Sequence, residues 1–468
     1  MEVIADLEVH SKYARAVSSS MNVPTISEWA AKKGISLVGT GDFTHPMWLR
    51  ELEANLEEAG NGVYKLRDGK SSEPYFLLTS EISCMYTHEG KGRRVHIMVY
   101  LPSFESVKKF NNELTTMGAN LFSDGRPIVG LTLAQIAETA LSVDKRTILI
   151  PAHVWTPWFG FYGHMSGYDS LHEAFGDLKK YIPAVETGLS SDPLMNWKIG
   201  ELEEKQIVSF GDAHSPQKLG REATVFELEK ISYENVWKAL WPKSEVGSRK
   251  LDDEVLISKL EVGIQSSKFK LHNQSSDIKP HISYTIEFYP EEGKYHYTGH
   301  RKCNVVYSPK DARKMGMTCP VCGRPLTLGV ASRVETLASL DIETESTVDK
   351  YGVRFIRDKV GKRIPYIMMV PLLEIISESL GLGVNSQKVE NTYELLINQL
   401  GSEFRVLLKT PIEDIRKVAG EKIGEAIGKV RIGDIHIEPG YDGIFGKVTI
   451  WRQEEKITNN HKLQESLF

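Results

Sequence analysis

The segment Asp6-Leu7-Glu8-Val9-His10 places metal-ligand side chains at the end of an apolar stretch of the chain. Three later segments follow the same pattern, namely Ser80-Glu81, His153 and Gly211-Asp212-Ala213-His214. Barrel enzymes gather their metal ligands in this way, because the carboxyl ends of several strands meet at one face of the barrel. The pattern therefore predicts a metal cluster.

The stretches that precede these ligands have the composition of strands, and helical patterns lie between them. The predicted strands are Ile35–Thr40, Tyr75–Thr79, Val95–Leu101, Thr147–Pro151 and Gln206–Phe210. The predicted helices are Ile26–Lys33, Pro46–Ala59, Leu131–Leu141 and Asp192–Glu203. Because strand and helix alternate, the sequence favours parallel βα units. A single histidine after a strand is usually a core or loop residue, but repeated strand ends that carry His, Asp or Glu favour a metal site.

At these residues the chain resembles the polymerase and histidinol phosphatase (PHP) family, whose fold is a distorted βα barrel that holds a metal site. The resemblance follows the family's motif order along the whole barrel. The matching residues are Glu8 and His10 for the opening His-x-His, Asp42 for the second motif, Glu81 for the bridging glutamate, His96 and His153, and Asp212 and His214.

The chain departs from the family pattern at two positions. Glu8 stands in place of the first histidine, and its carboxylate still suits Zn²⁺ or Mn²⁺. The family holds two or three metals, and Phe43 replaces the histidine of the second motif here, so this departure favours a binuclear site, with His45 as a candidate substitute ligand.

A cluster of this kind suits phosphoester hydrolysis. Two neighbouring cations lower the pKa of a water and clamp the attacking and leaving oxygens of an in-line displacement. Glu81 is the predicted bridging carboxylate, and Asp212 is predicted to bind metal, to orient the water, or to do both. These two residues are therefore the catalytic candidates. Zn²⁺ is expected in the site, with Mg²⁺ or Mn²⁺ as further candidates for catalysis.

The composition fits a large globular enzyme. The chain has 468 residues, of which 41% are hydrophobic and 25% are charged, and its net charge of −5 gives no overall nucleic-acid signature. It contains no apolar run long enough to span a bilayer and does not begin like a signal peptide, so a cytoplasmic protein without a membrane partner is expected.

Three of the four cysteines form a pattern of their own, whereas Cys84 stands alone and is predicted to be a core residue. His300-x-x-Cys303 and Cys319-x-x-Cys322 have the spacing of two zinc knuckles, which together supply four ligands to a tetrahedral ion. Because His296 is also near, His300 is the less certain ligand of the set. Such closed sites are structural, so the sequence predicts a structural zinc lobe.

These landmarks divide the chain into four predicted regions. A metal-dependent nuclease domain covers residues 1–242, a polar connector covers 243–280, the zinc-binding lobe covers 281–335, and a mainly helical DNA-binding region covers 336–468. A predicted strand at Ser283–Phe288 enters the zinc lobe. Within the last region, the glycine-flanked segment around Lys422 resembles a helical hairpin that can offer N–H groups to a phosphate. Plain packing is an equally good explanation for that hairpin.

The combination of a PHP-like barrel, a zinc lobe and a helical, glycine-punctuated tail resembles the endonuclease Q family over nearly the whole chain. The specific matching stretches are Gly39–Pro46, Pro151–Gly160, Ser166–Ser170, Glu186–Pro193 and Gly440–Gly443. The resemblance implies a DNA repair endonuclease that cleaves 5′ to deaminated bases (hypoxanthine, uracil, xanthine) and abasic sites. Damaged DNA, double- or single-stranded, is the expected partner, together with replication or repair proteins.

Candidate DNA contacts follow from residue type and position. Aromatic residues close to a nuclease centre suit stacking on an unpaired base, although several of them can equally be barrel core. Basic residues suit phosphate contacts, although a charge run is more often only a solvated face. The candidates are Trp155, Trp158 and Tyr168, and Arg93, Arg94, Arg301, Lys302 and Lys422.

Two other functions are compatible with a PHP-like barrel. A small-molecule phosphoesterase would explain the barrel but would leave the zinc lobe and the tail without a role. A non-catalytic nucleic-acid-binding protein would be expected to have lost several ligands, whereas only one or two positions differ here. The sequence therefore favours the lesion-specific endonuclease.

Overall fold

The fold is a mixed α/β structure, seen in a computed structural model that describes residues 1–70, 73–241 and 279–452. Residues 243–278 of the predicted connector and residues 453–468 of the predicted helical region lie outside this described part. None of the described helices is both long and apolar enough to cross a membrane.

The described strands are numbered in chain order. They are β1 (Glu2–Asp6), β2 (Leu37–Gly39), β3 (Leu56–Glu58), β4 (Tyr64–Leu66), β5 (Tyr75–His88), β6 (Lys91–Leu101), β7 (Ile128–Val129), β8 (Ile148–Pro151), β9 (Ala184–Glu186), β10 (Gln206–Val208), β11 (Ala223–Glu227), β12 (His281–Glu287), β13 (Thr298–His300), β14 (Val305–Tyr307), β15 (Thr344–Val348), β16 (Arg354–Asp358), β17 (Tyr366–Met368), β18 (His436–Glu438) and β19 (Lys447–Thr449).

The described α-helices are numbered in the same way. They are α1 (Val23–Lys33), α2 (Pro46–Asn55), α3 (Phe104–Thr116), α4 (Leu133–Val143), α5 (Leu171–Phe175), α6 (Pro193–Trp197), α7 (Tyr233–Leu240), α8 (Pro309–Met315), α9 (Val330–Leu337), α10 (Leu372–Leu380), α11 (Gln387–Leu400), α12 (Glu403–Leu408), α13 (Ile412–Ala419) and α14 (Glu421–Ile432). Short 3-10 helices cover Gly176–Tyr181, Gly200–Leu202, Pro216–Lys218, Pro290–Glu292 and Arg301–Cys303.

One large mixed sheet organises the described chain. Its main path runs β15-β16-β17-β12-β11-β1-β2-β5-β4-β3, and β6, β7 and β8 join it through β5 and β6. Successive residues of β1 face opposite sides, so Val3 and Ala5 pack in one apolar cluster while Ile4 packs in the other. The sheet is therefore buried on both faces at its centre, which fixes the strand ends that carry the candidate ligands.

The prediction of parallel βα units is correct for only part of this sheet. The pairs β1–β2 and β2–β5 are parallel, whereas β5–β6, β6–β8 and β1–β11 are antiparallel. The physical reason for the β5–β6 pairing is a long hairpin. The two residues of its turn, Glu89 and Gly90, have positive φ values of 49° and 75°, respectively. A two-residue loop of this kind favours direct antiparallel return of the chain, without a crossover helix.

Three element predictions also need correction. The predicted helix Pro46–Ala59 ends at Asn55, and Leu56–Glu58 form strand β3 instead. The strand assigned to the start of the zinc lobe is β12, and it pairs antiparallel with β11 in the large sheet. The predicted helix Asp192–Glu203 is only α6 followed by a 3-10 helix at Gly200–Leu202.

The C-terminal part combines strands and helices. Strands β15, β16 and β17 extend the large sheet, and helices α10 to α14 follow them along the chain. The predicted glycine hairpin is present, since Gly420 lies between α13 and α14 with a positive φ of 88°. The region therefore begins with strands, is helical from α10 to α14, and then has the short antiparallel strands β18 and β19.

Candidate metal centre

Two groups of predicted ligands meet at one end of the sheet. His10, Asp212 and His214 form the first group, and Glu81, His96 and His153 form the second. Within each group the ligand atoms lie within 4.8 Å of one another. His10 and His153 follow β1 and β8, Glu81 and His96 lie within β5 and β6, and Asp212 and His214 follow β10. The sheet therefore gathers six of the nine predicted ligands.

Glu81 joins the two groups. One carboxylate oxygen, Oε2, lies 3.1 Å from His10 Nε2, and the other, Oε1, lies 3.0 Å from His153 Nε2 and also contacts His96 Nδ1. The side chain is almost completely buried. This arrangement is the one expected of a carboxylate shared between two cations.

Asp42 and His45 lie beside the cluster and are engaged in other contacts. Asp42 lies 3.0 Å from His10 Nδ1 and accepts hydrogen bonds from the N–H and the hydroxyl of Ser11 at 2.6 and 2.7 Å. His45 Nδ1 accepts a hydrogen bond from the Trp48 N–H at the start of α2, and its ring stacks on Tyr13. Neither belongs to the two ligand groups, so Asp42 is placed to orient His10, and His45 caps a helix.

Glu8, the ninth predicted ligand, lies against Glu186 in the interior. Burial and the neighbouring Glu186 charge raise the pKa of Glu8 well above its ordinary value, and burial raises the pKa of Glu186 to about 7. Glu186 also accepts a hydrogen bond from the backbone N–H of His153 at 2.7 Å. Two buried carboxylates side by side need a proton or a cation between them.

The backbone at three of these residues is unusual. Asp42, His153 and Asp212 have positive φ values of 48°, 30° and 43°. Non-glycine residues rarely adopt this region, and such conformations concentrate at functional sites, where the surrounding structure holds them. Asp212 is held in this way, because the Arg221 guanidinium donates to the carbonyls of Gly211 and Asp212.

The charges of the cluster are strongly coupled. Burial alone would raise the pKa of Glu81, but His96 and Arg126 lower it well below its ordinary range. Burial would likewise raise the pKa of Asp212, but His10 and His214 lower it. The pKa of His10 is raised well above its ordinary value. Burial opposes protonation of the ring, but the charge of Asp42 favours it and outweighs burial. Glu81 and Asp212 therefore stay ionised and available as ligands.

The donor set fits divalent metal ions. Among the described residues, both carboxylate oxygens of Glu8, His10 Nε2 and Asp212 Oδ1 are buried without a hydrogen-bond partner. Buried polar atoms are normally paired, and imidazole with carboxylate is a donor set typical of zinc and manganese. These atoms are accordingly the ones that metal ions would satisfy.

Two functional candidates were not found from the sequence. Glu186 follows the apolar run of β9, which is the same signal that identified His153. Arg126 lies in an irregular segment without such a signal, and its guanidinium donates to Glu81 Oε2 at 2.9 Å.

A cavity of about 420 Å³ opens from the metal-ligand cluster. His96, Arg126, His153 and Asp212 line one end of the cavity. Trp158, Phe159, Lys294, Tyr295, His296, Val330 and Phe445 are among the residues that line the rest. Its size lies in the range of about 300–1,000 Å³ that is usual for small-ligand sites. The cavity therefore has a polar end with the ligands and an aromatic wall built from later parts of the chain.

Three of the predicted DNA contacts are core residues instead. The Trp155 indole is 1% exposed, stacks on Tyr162 and donates its N–H to Asn196 at 2.8 Å. Tyr168 is equally buried, and Arg93 packs on its ring while donating to the Gly167 carbonyl and to Glu173. Because all three side chains are buried inside the protein, they do not form a DNA-facing surface.

The other predicted contacts lie at the surface. Trp158 is 37% exposed, and its ring meets that of Tyr295 edge to face at the cavity. Arg94 is exposed on strand β6. Arg301 and Lys302 are exposed beside the zinc knuckles, and Lys422 is exposed with its ammonium over the Trp451 ring. These five side chains stay candidates for DNA contacts.

The predicted structural zinc ligands also come together. His300, Cys303, Cys319 and Cys322 have ligand atoms within 4.8 Å of one another, and His296 is not part of this group. Burial acts against ionisation of Cys319, but the backbone N–H groups of Cys322 and Val321 and the His300 ring lower its pKa to about 6. A thiol of this kind is readily deprotonated, as zinc binding requires. Cys84 is buried in the core, as predicted.

An α/β scaffold with a buried cluster of histidines and carboxylates beside a cavity defines a candidate metal-dependent hydrolase. Comparison with solved structures is more specific. The chain is similar to the lesion-specific endonuclease PfuEndoQ from Pyrococcus furiosus, with 31% identity, a TM-score of 0.75 and coverage of 98% of this chain and 99% of that one. It is also similar to endonuclease Q in complex with a 27-mer duplex that carries an abasic lesion at the active site, with 32% identity, a TM-score of 0.74 and coverage of 97% and 98%. The chain belongs to the endonuclease Q family.

Two uncharacterised proteins are similar as well. YqxK of Bacillus subtilis is 26% identical over 96% of this chain and 99% of its own length. MJ0043 of Methanocaldococcus jannaschii is 29% identical over 64% of this chain, and the match spans 32% of that protein, about a third of its length. Residues 371–434 match the family described as the MJ0043 C-terminal domain, which covers helices α10 to α14.

Proposed function

We propose that this protein is a metal-dependent DNA repair endonuclease that hydrolyses the phosphodiester bond 5′ to deaminated bases (hypoxanthine, uracil and xanthine) and abasic sites. The observation that carries this proposal is the convergence of two ligand groups at one end of a cavity, in a chain of the endonuclease Q family. The abasic duplex bound by a family member supports the substrate class.

The residues that would hold metal ions are those with unpaired donor atoms or short mutual contacts. They are Glu8, His10, Glu81, His96, His153, Glu186, Asp212 and His214. Ions held there would supply Lewis-acid chemistry for the displacement at phosphorus. Zn²⁺ suits this donor set, and Mn²⁺ or Mg²⁺ are the other candidates.

Neighbouring residues orient these donors. Asp42 holds one nitrogen of His10 and thereby directs the other toward Glu81 and Asp212. Thr156 Oγ1 lies 3.1 Å from His153 Nδ1, which leaves Nε2 directed at Glu81. Fixing the second nitrogen of a ligand histidine sets its tautomer and ring position. Asp42 and Thr156 are therefore positioning residues.

Arg126 supplies a permanent positive charge where the cavity meets Glu81. Its guanidinium pairs with Glu81, and its side chain is 23% exposed, so part of it is accessible from the cavity. Arginine forms bidentate hydrogen bonds to phosphate oxygens. We infer that Arg126 binds the scissile phosphate while it holds Glu81 in place.

The aromatic wall of the cavity suits a base that has left the duplex. Trp158, Phe159, Tyr295 and Phe445 present ring faces or edges around the space, and Phe445 is 68% exposed. Enzymes that act at a damaged base commonly extrude it, and weakly paired bases cost less to extrude. Exposed rings of this kind are costly on a surface unless they bind something.

Cleavage of defined duplexes tests the proposal. The protein, freed of metal by chelation, is incubated with end-labelled duplexes that contain one hypoxanthine, uracil, xanthine or abasic site, with Zn²⁺, Mn²⁺ or Mg²⁺ added back. We expect a single nick 5′ to each lesion, and none in undamaged duplex or without metal. A protein that hydrolyses a small phosphomonoester but leaves every damaged duplex intact would overturn the proposal.

Asp212→Asn provides the inactive variant. It removes one negative charge from the ligand group, so nicking should fall to less than about a tenth of the wild-type rate. DNA binding should be largely kept, because affinity rests mainly on dispersed phosphate contacts. Asp177→Asn, at an exposed position outside both ligand groups, is the matched control and should cleave normally.

A further inference from the structure

The strand pair that leads to two of the candidate ligands lies outside the large sheet. Strands β9 and β10 pair with each other in parallel, and ladder hydrogen bonds do not join them to the other described strands. Glu186 is the last residue of β9, and Asp212 follows β10. The position of these two carboxylates relative to the other ligands therefore depends in part on side-chain contacts with neighbouring strands.

One buried carboxyl supplies such contacts to both strands. Glu287 is the last residue of β12, and its side chain is fully buried. Its Oε2 accepts a hydrogen bond from the Thr187 hydroxyl at 3.1 Å, and its Oε1 accepts from the hydroxyls of Ser209 and Thr285. Thr187 directly follows β9 and Ser209 directly follows β10, and their hydroxyl oxygens lie 2.6 Å apart. A single side chain thus ties the ends of both strands to β12.

The link to β9 lies directly beside candidate ligands. Thr187 adjoins Glu186, whose carboxylate accepts a hydrogen bond from the His153 N–H at 2.7 Å. The next residue, Gly188, packs so closely on the same histidine that a Cβ there would lie 2.3 Å from the Cβ of His153. A displacement of the chain at Thr187 would therefore move Glu186 and His153 together.

The link to β10 acts on the segment that leads to Asp212. The Ser209 N–H donates to the Thr224 hydroxyl at 3.0 Å, and that hydroxyl donates to the Ser209 carbonyl at 3.0 Å. These bonds hold the backbone of Ser209 against β11, and Glu287 holds its side chain against β12. Asp212 follows only three residues later. The starting point of the ligand segment is therefore fixed by two strands of the large sheet.

A carboxyl is a costly choice for this position unless its geometry matters. Burial raises the pKa of Glu287 to about 8, which shows that the interior opposes its charge. Apolar side chains of similar volume often stabilise a core as well as buried polar groups do. A buried polar network in which every member is hydrogen-bonded instead selects one arrangement of the strands that it joins. The three hydrogen bonds to Glu287 therefore indicate a role in strand position.

We propose that Glu287 is a positioning residue for the metal-ligand cluster, because its carboxyl locks the ends of β9 and β10 onto β12 and thereby sets the positions of Glu186 and Asp212. The inference deepens the proposed function and rests on its metal centre. Strand β12 lies beyond the nuclease domain predicted for residues 1–242. The later part of the chain thus contributes to the geometry of the ligand cluster as well as to the cavity.

Substitutions of Glu287 in the full-length protein test this role. Glu287→Met keeps the length of the side chain without its oxygens, whereas Glu287→Gln keeps an acceptor oxygen and adds a donor. Binding of Mn²⁺ without DNA is followed by loss of the electron paramagnetic resonance signal of the free ion. We expect the Met variant to bind Mn²⁺ about 10–100-fold more weakly, as is typical when the contacts that orient ligands are lost, and the Gln variant to recover most of the affinity. Cleavage of abasic duplex should require correspondingly more Mn²⁺, with duplex affinity unchanged.

Thr285→Val is the matched control. It removes one hydrogen bond to the same carboxyl, but Thr285 lies on β12 itself, so the variant should melt at a lower temperature and bind Mn²⁺ normally. If the Met variant binds Mn²⁺ as tightly as wild type, or if Thr285→Val weakens binding to the same extent, Glu287 contributes only stability and the inference is wrong.

Two further outcomes separate this inference from the proposed function. If the Met variant does not fold, Thr187→Val combined with Ser209→Ala removes the links to β9 and β10 and must show the same loss of Mn²⁺ affinity, or the inference fails. Wild type that binds Mn²⁺ but cleaves no damaged duplex would refute the proposed function and leave the role of Glu287 to be decided by the Mn²⁺ titrations. Wild type that binds no Mn²⁺ would refute both.

Discussion

Replacing Asp42 by asparagine separates two roles, namely the metal ligand predicted from the sequence and the positioning residue indicated by its contacts with His10 and Ser11. Asparagine has the size of aspartate and tolerates the positive φ of 48° that the position requires, so the backbone should not change. The substitution removes the negative charge that faces His10 Nδ1 and leaves one oxygen where the native residue has two. One of the contacts with His10 and Ser11 must therefore weaken or break.

The magnitude follows from these contacts. Asp42 accepts from Ser11 at 2.6 and 2.7 Å and lies 3.0 Å from His10, whose other nitrogen points at Glu81 and Asp212. Loss of a hydrogen-bonding partner behind a ligand histidine typically costs about 10–100-fold in metal affinity or activity. That range corresponds to about 1.4–2.8 kcal/mol. We expect the metal concentration for half-maximal cleavage to rise by this factor, with the maximal rate largely recovered at saturating metal.

Metal titrations of abasic-duplex cleavage, with metal content measured in parallel, check this expectation. Ser11→Ala is the control, because it removes one hydrogen bond to Asp42 but leaves the charge opposite His10, and it should shift the titration less. If Asp42→Asn loses one equivalent of bound metal and saturating metal does not restore cleavage, Asp42 is itself a ligand. If neither metal affinity nor rate changes, the positioning argument is wrong.

Three other predictions concern the zinc lobe, the aromatic residues and the lesion. Replacing Cys319 and Cys322 together by alanine should release the structural zinc and weaken binding to damaged duplex, while the rest of the chain stays folded; unchanged zinc content, melting and affinity would refute the assignment. Trp155→Ala should lower the free energy of unfolding by about 3–5 kcal/mol, because the indole is buried and hydrogen-bonded. Trp158→Ala should change the free energy of unfolding by less than about 1 kcal/mol and should instead weaken binding to damaged duplex. In the metal-free complex, a 2-aminopurine placed next to the lesion should brighten as its neighbour is extruded, and if it stays dark while a mobility shift confirms binding, base extrusion is wrong.

Local patterns predicted the short buried strands well and the pairing direction less well. The predicted strand Thr147–Pro151 is β8, and Gln206–Phe210 contains β10, because both are apolar runs with a sharp polar end. Strand β5 continues nine residues beyond its predicted end at Thr79, since a buried hairpin contains polar ligands that interrupt the apolar pattern. The signal for the hairpin was the dipeptide Glu89-Gly90 between two strand-like stretches.

The candidate site was predictable where a ligand ends a strand, and less so where tertiary contacts decide its role. His10, His153 and Asp212 each follow a strand or an apolar run, and the sheet brings them together. Whether Asp42 faces a metal or a histidine depends on the turn at Ser11, which no spacing reveals. Likewise, Arg93 and Trp155 have the composition of a DNA contact, and only packing shows that they are core residues.

The two ends of the cavity come from different parts of the chain, so under the proposed function both parts would act on the same substrate. The metal ligands come from residues 8–214, whereas Tyr295, His296 and Phe445 form the aromatic wall. Polar contacts join the two parts beside a shared apolar cluster that includes Val334 and Phe161. Arg333 donates to the Tyr162 carbonyl and pairs with Asp169, and Lys198 pairs with Glu335 at 2.6 Å. Such contacts set the distance from the wall to the ligand cluster, so a base held by the wall places the phosphate beside it at a defined position. Under the proposed function, this spacing would select one bond relative to the lesion.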